Sequence, residues 1–421
     1  MFRGFSQIFN KANKDLRKRI YITLFCLGLF ALGSSVTIPW ATQIYQDLGF
    51  LEIFNIMSGG GLRSFSIFAL GVSPYITASI ITQLLQMDIV PYFKDLKDQG
   101  YTGRQKINKI NRYMGIIIGF FQAYVLCIAY MGSASAFVQL KTALVMTAGT
   151  AFCLWMGDQI TNKGIGNGQS MLIIAGIILS MPSIFTGAYY GFITSGTYEP
   201  ALGIFFFSLF ILVYILIIVG IIWIQLAERR IPIQYANKST SAYGAQNSFL
   251  PIKLNSAGVM PVIFASILTT IPATIVALTK NQNAIDFVNK YIVYNSPTGF
   301  ILYIILILFF GYFYTFMVMN PDEMSKNLNE RGGYIPGIRP GEDTSKYISN
   351  SMGKLTLVGS IFLVILAAIP IIFSLIFGLS SQVTIGGTGM LIVVGVAIET
   401  YKQMESSLVS RSYTAKRKRL R

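Results

Sequence analysis

Apolar residues fall into ten long runs, and nearly all charged residues collect between them. Crossing about 30 Å of hydrocarbon takes roughly 20 mostly apolar residues in a helix. Runs of about that length lie at 20–39, 68–87, 113–132, 141–158, 169–187, 201–225, 256–278, 298–319, 356–377 and 384–401. Lipid offers the backbone no hydrogen-bond partner, so each run predicts a helix rather than a strand. The expected fold class is an all-α polytopic membrane protein with ten transmembrane helices. Five runs precede the segment 188–200 and five follow it, so the halves 20–187 and 201–401 are inverted with respect to one another. Inverted five-helix halves put a pathway at their interface, which predicts a central pore with 188–200 as an outer hinge loop. Sequence similarity between the halves is weak, so the symmetry rests on topology.

Charge orients this array. The formal net charge is +16, from 33 Lys and Arg against 17 Asp and Glu. With both termini in the cytoplasm, 29 basic and 13 acidic residues lie inside, and Arg63, Lys141, Lys280 and Lys290 are the basic residues left outside. The whole excess then sits on one face, as the positive-inside rule requires of a multi-pass membrane protein. That face comprises a basic arm (1–19), a basic tail (402–421) and long inner loops at 226–255 and 320–355. Topology and anionic membrane lipids alone would select such a face; charge by itself points only weakly to nucleic acid, although a ribosome would present RNA phosphates to it. The arm and first run imitate a signal peptide, but the run is about 20 residues long without a small-x-small cleavage site, which predicts a retained span.

The runs also exclude chemistry. The chain has no histidine, and no Asp, Glu, Lys or Arg lies in the middle of a run. Coupled transporters need an ionisable group at membrane depth, and intramembrane proteases need a nucleophile with a base or paired aspartates. Neither constellation can be assembled. Cys26, Cys127 and Cys153 all fall within runs and show no metal-ligand or disulfide spacing. Neutral polar residues do enter the runs, among them Thr77, Ser79, Gln83, Gln122 and Asn255. Such groups commonly glue helices together; clustered at one interface, they would set how readily it opens.

Ser58-Gly59-Gly60-Gly61 precedes the second run and reads either as an exposed glycine loop or as a hinge for a segment folded back into a pore. Gly164-Ile165-Gly166-Asn167-Gly168 opens the fifth run; a phosphate cradle would need a strand-turn-helix setting, so a tight cytoplasmic turn is the better reading. The inner loops carry Glu228-Arg229-Arg230-Ile231-Pro232 and Arg331-Gly332-Gly333-Tyr334-Ile335-Pro336-Gly337-Ile338-Arg339-Pro340-Gly341. Arg and Tyr among Pro and Gly suit rigid, protruding docking turns.

Six stretches are weak singly and specific in their order. They are Phe68 to Ile76 running into Ala78 to Ile81, the Gly164–Gly168 turn, Ala227 to Pro232, Asn255 to Ser266, Gly332 to Gly341, and Gly386-Gly387-Thr388. Through them, over nearly its whole length, the chain resembles the SecY family, the channel subunits of bacterial protein translocases. The resemblance implies two halves clamping an hourglass channel whose waist is an aliphatic ring, here Val72, Ile76, Ile173, Ile177, Ile263 and Ile392. An apolar constriction blocks ions by dewetting, while flexible side chains fit around a passing polypeptide. It also implies a plug at about 56–66, including Gly59, Gly60, Gly61, Leu62, Arg63 and Ser64. A lateral gate between the second and seventh spans would have Gln83, Gln122 and Asn255 as its polar seam. Arg229, Arg230 and Arg339 fall on loops where the family docks the SecA ATPase or a ribosome. SecE-like and SecG-like subunits and signal-sequence-bearing polypeptides are implied partners; no catalytic residue, cofactor or metal is.

The loop 88–112 keeps only part of the family's pattern, and the outer loop 40–57 is short. An accessory channel for a subset of substrates is therefore an alternative, although retention of Gly332 to Gly341 favours the housekeeping one. A solute transporter would need a midplane site, and an insertase without a through-pore would need no plugged ring.

Overall fold

A computed structural model of the chain describes residues 14–405 apart from 42–43, 45–50, 87–89, 133, 195–198, 236–247, 280–281, 294–295, 379–382 and 384–388. Residues 1–13 and 406–421 of the basic arm and tail, and the Gly386-Gly387-Thr388 motif, lie outside the described residues. In chain order, α1 (Lys14–Ser35) precedes the short α2 (Glu52–Met57), and a run of tight turns leads into α3 (Ser73–Leu85). Next come α4 (Pro91–Asp98), α5 (Tyr101–Tyr130), α6 (Ala136–Lys163) and α7 (Gly168–Tyr189), which ends in a π-turn at Tyr190–Thr194. The second half opens with α8 (Pro200–Leu226), β1 (Glu228–Tyr235) and β2 (Ser248–Lys253). It continues with α9 (Met260–Thr279), α10 (Gln282–Tyr291), α11 (Pro297–Val318) and α12 (Pro321–Glu330). The last elements are β3 (Gly333–Tyr334), α13 (Glu342–Phe377) and α14, helical over 389–405.

Six of the described helical stretches, beginning at Tyr101, Ala136, Gly168, Pro200, Pro297 and Glu342, are long and apolar enough to cross a membrane. α8 and α11 match their apolar runs to within a residue. α5 and α13 begin well before theirs, because their first turns are polar helix projecting beyond the membrane. The second run differs most. Its helix is only 13 residues, about 20 Å, and the stretch from 58 to 72 is turns.

Glycines set the closest approaches. A Cβ at Gly149 of α6 would overlap the Ile67 carbonyl oxygen, and one at Gly168 would overlap the Gly157 carbonyl oxygen. The 164–168 glycines therefore let α7 start against α6. Asn167 caps that start by accepting from the Gln169 N–H at 3.1 Å, and no phosphate cradle is required to explain them.

The two inner loops are more ordered than turns. β2, β1 and β3 form one antiparallel sheet in that order, with Arg229 opposite Ile252 and Tyr235 opposite Gly333. Alternation along β1 turns Ile231 and Ile233 inward, where they join Ile252, Leu328, Ile335, Ile348 and Met352 in a core of their own. Ser345 Oγ donates to Asp322 Oδ1 at 2.5 Å and Ser325 Oγ to the Gly341 carbonyl at 2.7 Å, fastening α12 to α13. Both loops thus form one body. At the opposite end, Phe185 of α7, Phe192 of the π-turn, Phe206 and Phe210 of α8 and Phe373 and Phe377 of α13 interlock across the two halves.

Ile348 is wholly buried in the core of this loop body. Ile348→Ala should destabilise that body by about 2–4 kcal/mol. The expected readout is faster tryptic cleavage at Arg331 and Arg339, with the transmembrane helices still protected.

Candidate pore, plug and docking surface

All six aliphatic residues of the expected ring are buried, and all belong to one continuous apolar cluster spanning both halves. Val72 caps the N-terminus of α3 and Ile76 lies in its first turn; Ile173 and Ile177 lie one turn apart on α7. Ile263 is on α9 and Ile392 on α14. Ile177, Ile263 and Ile392 line a single cavity of about 10 Å³, barely room for one water molecule. The opposite wall of that cavity is Ile53, Phe54, Ile56 and Met57 of α2. Val72, Ile76 and Ile173 share the cluster without lining this cavity.

The glycine segment is buried, which removes the reading as an exposed loop: Ser58, Leu62, Phe65 and Ser66 have no accessible surface. Gly59 and Gly60 take φ values of 74° and 83°, which a side chain would strain, and a Cβ at Gly61 would overlap Ser66 Oγ. The body seated against the cavity begins at Glu52, upstream of the expected start at 56. Glu52 is fully buried and bonds Arg63 Nη2 at 3.3 Å and Asn55 Nδ2 at 2.8 Å. Asn55 Oδ1 in turn accepts the Arg63 backbone N–H at 3.0 Å. Leu62 and Phe65 fill the turns, while the Ser64 hydroxyl returns to the Gly60 and Gly61 carbonyls. Backbone bonds from Ile38 to Phe65, Ile44 to Arg63 and Ile67 to Val36 tether the segment to the chain after α1.

The residues proposed as a polar seam are not joined to one another by hydrogen bonds among the described residues. Gln83 Nε2 donates to Ser79 Oγ within α3 at 3.2 Å, and its Oε1 is buried with no partner among the described residues. Gln122 is half-buried on α5. Asn255 Nδ2 is spent on the Gly258 carbonyl at 2.8 Å, shaping the turn before α9, and its backbone lies against Gly359 of α13. The halves do meet here, α9 lying against α5, and within the second half Ser266 of α9 shares a 3.3 Å hydrogen bond with Tyr303 of α11.

On the sheet-bearing loop body the three arginines differ. Arg230 is held by Glu228 at 2.8 Å and stacks over Phe249 at 4.7 Å. Arg229, its neighbour on the other face of β1, and Arg339, on the turn after β3, are exposed and form no ion pair among the described residues. The Arg339 turn is fixed through its carbonyl, which accepts from Thr344 Oγ1 at 2.8 Å.

Residues 66–401 match the SecY family. The protein translocase subunit SecY of Halalkalibacterium halodurans is 43% identical over 98% of this chain and 99% of its own length. This chain belongs to the SecY family. Solved structures agree on the fold. A protein conducting channel superposes with TM-score 0.69 at 20% identity over 94% of this chain and 93% of its own. A SecY structure concerned with the plug domain and the closed state gives 0.65 at 20% over the same shares. Canine Sec61 from the ribosome-channel complex of the endoplasmic reticulum gives 0.65 at 19%, again over 94% and 93%. As a SecY-family member the chain is a multi-pass protein of the bacterial cytoplasmic membrane.

Sequence reasoning within the SecY frame missed Glu52, which reads as a solvated charge on an outer loop, and Ser266, a lining residue of the central cavity. The i, i+3 spacing of Glu52 and Asn55 was the available signal for the first. Arg63→Ala should remove the Arg63 cation from the buried Glu52 carboxylate. Because the arginine is 38% exposed, solvent screens the pair well below the cost of a fully buried one. Hydrogen exchange over 52–58 should therefore rise about tenfold, about 1.4 kcal/mol. Glu52→Gln in the same chain should recover part of that protection.

Proposed function

We propose that this chain is the protein-conducting channel of a translocase, passing unfolded polypeptides through a waist formed by Val72, Ile76, Ile173, Ile177, Ile263 and Ile392. The observation that carries the reading is the central cavity, where Ile177, Ile263 and Ile392 close on α2 with space for about one water. Ten helices cross the membrane with both termini inside, and 188–200 is the hinge between the halves. Residues 52–66, a longer body than the expected 56–66, act as the plug. Parting of α3 and α5 from α9 releases apolar segments into lipid. A signal sequence favours the open gate because it binds there better than to the closed state.

The chain performs no catalysis and needs no cofactor in this scheme. A SecA-type ATPase or a ribosome docks on the basic cytoplasmic body and supplies the work; the family's canine relative was solved on a ribosome. Arg229 and Arg339 are the contacts best placed for this, since Arg230 is engaged within its strand. SecE-like and SecG-like subunits brace the halves, and anionic lipids meet the basic arm and tail.

Two measurements test the scheme. In a chain lacking Cys26, Cys127 and Cys153, Ile263→Cys should crosslink to the middle of a secretory polypeptide stalled partway across; failure while the stalled chain contacts the Arg339 loop sinks the ring assignment. Arg339→Ala should lower motor-driven translocation at least tenfold while leaving tryptic resistance of the cytoplasmic body unchanged. Equal rates would remove Arg339 from the coupling.

A further inference from the structure

The closed plug touches two different kinds of surface. One face of α2 meets side chains from α7, α9 and α14 around the central cavity. Its C-terminal end also meets α7 through polar and backbone atoms. Ser180 Oγ donates to the Ile56 carbonyl at 3.1 Å, both groups buried. One turn earlier, Gly176 leaves only enough room for the Met57 carbonyl, whose oxygen a Cβ at 176 would overlap. Gly59, held at φ 74° and bonded to the Ile56 carbonyl at 3.1 Å, completes the contact, since a Cβ there would lie 3.1 Å from Leu179. Gly176 and Ser180 fall on the same stripe of α7 as the ring residues Ile173 and Ile177, with Ser180 nearest the outer end.

We propose that Gly176 and Ser180 form a seat that latches the plug to α7 and sets how readily the closed channel releases it. The proposal rests on the reading of the chain as a plugged channel. Parting of the halves carries Ile263 and Ile392 away from α2, but it leaves the α7 contact whole, because plug and α7 belong to the same half. The α9 and α14 part of the ring therefore loses its hold on the plug when the gate moves. The seat is among the first-half contacts that still have to be broken, beside Ile177 and the backbone tethers to Val36, Ile38 and Ile44. A backbone carbonyl cannot rotate aside as a side chain can, so a methyl at 176 must displace the C-terminal end of α2 bodily. Loss of the Ser180 hydroxyl instead leaves the fit and removes one bond.

The test is ion leak through substrate-free translocase, purified with its companion subunits and reconstituted into sealed vesicles. Gly176→Ala should raise the leak at least tenfold, towards that of a chain lacking residues 52–66, and Ser180→Ala about fivefold, with Ser180→Thr near the parent value. Placed in the chain lacking 52–66, Gly176→Ala should add nothing. A tight Gly176→Ala channel beside a leaky deletion overturns the seat and leaves the plugged channel standing. So does extra leak from Gly176→Ala in the deletion background, which would make 176 part of the wall. A deletion that does not leak overturns the plugged channel itself. Should Gly176→Ala fail to assemble, the Ser180→Ala and Ser180→Thr pair decides alone: equal leak in both and in the parent overturns the seat.

Discussion

Everything central in this molecule follows from one constraint: backbone amides and carbonyls at membrane depth must find partners, and lipid supplies none. α3 is 13 residues long, roughly two thirds of what the hydrocarbon demands. The rest of that crossing is made by turns, from Ser58 to Val72, which expose more polar backbone than a helix does. Turns of this kind are tolerable at such depth only inside protein. Accordingly Ser58, Leu62, Phe65 and Ser66 are wholly buried and their neighbours bond to Ile38, Ile44 and Val36. A helix cut short thus requires a hollow between the two halves, and the segment that needs the hollow is also what fills it.

The hollow is closed by contacts of unequal character. Around the cavity they are aliphatic and non-directional, adding up through dispersion and burial, so they can be given up and re-formed without leaving unsatisfied groups. Within the plug they are directional and partly charged, with Glu52, Asn55 and Arg63 bonded to one another. A body wired internally and greased externally keeps its shape when it changes place. The outer end of the molecule has a third character. Its interlocked phenyl rings bind α7, α8 and α13 across the halves, opposite in the fold to the polar turn at Asn255.

Legibility in the sequence tracked how local each signal was. α8 and α11 could be read to within a residue because nothing but lipid and apolar neighbours decides them. The polar leading turns of α5 and α13 could not, since hydropathy registers where a helix enters lipid rather than where it begins. β1, β2 and β3 were hidden because the pairing of Tyr235 with Gly333 joins segments about a hundred residues apart. The ring residues were named only through family resemblance: an isoleucine in an apolar run carries no mark of which way it faces. The polar seam shows no hydrogen bonds among its own members within the described residues. Gln83 and Asn255 look like interface groups in sequence, yet Ser79 and the Gly258 carbonyl, both local, take up their amides.

α13 has a mechanical meaning of its own. It is one continuous helix of 36 residues, about 54 Å long, whose first turn is clamped to α12 and whose last, beyond Pro370, carries Phe373 and Phe377. One end thus lies in the sheet-bearing loop body and the other in the aromatic cluster at the opposite end of the fold. A tilt of five degrees imposed at Glu342 would move the far tip by about 5 Å, roughly the rise of one helical turn. Whatever grips the cytoplasmic body therefore holds a lever whose load is the aromatic cluster on the other side of the membrane, with no intermediate to relay the motion.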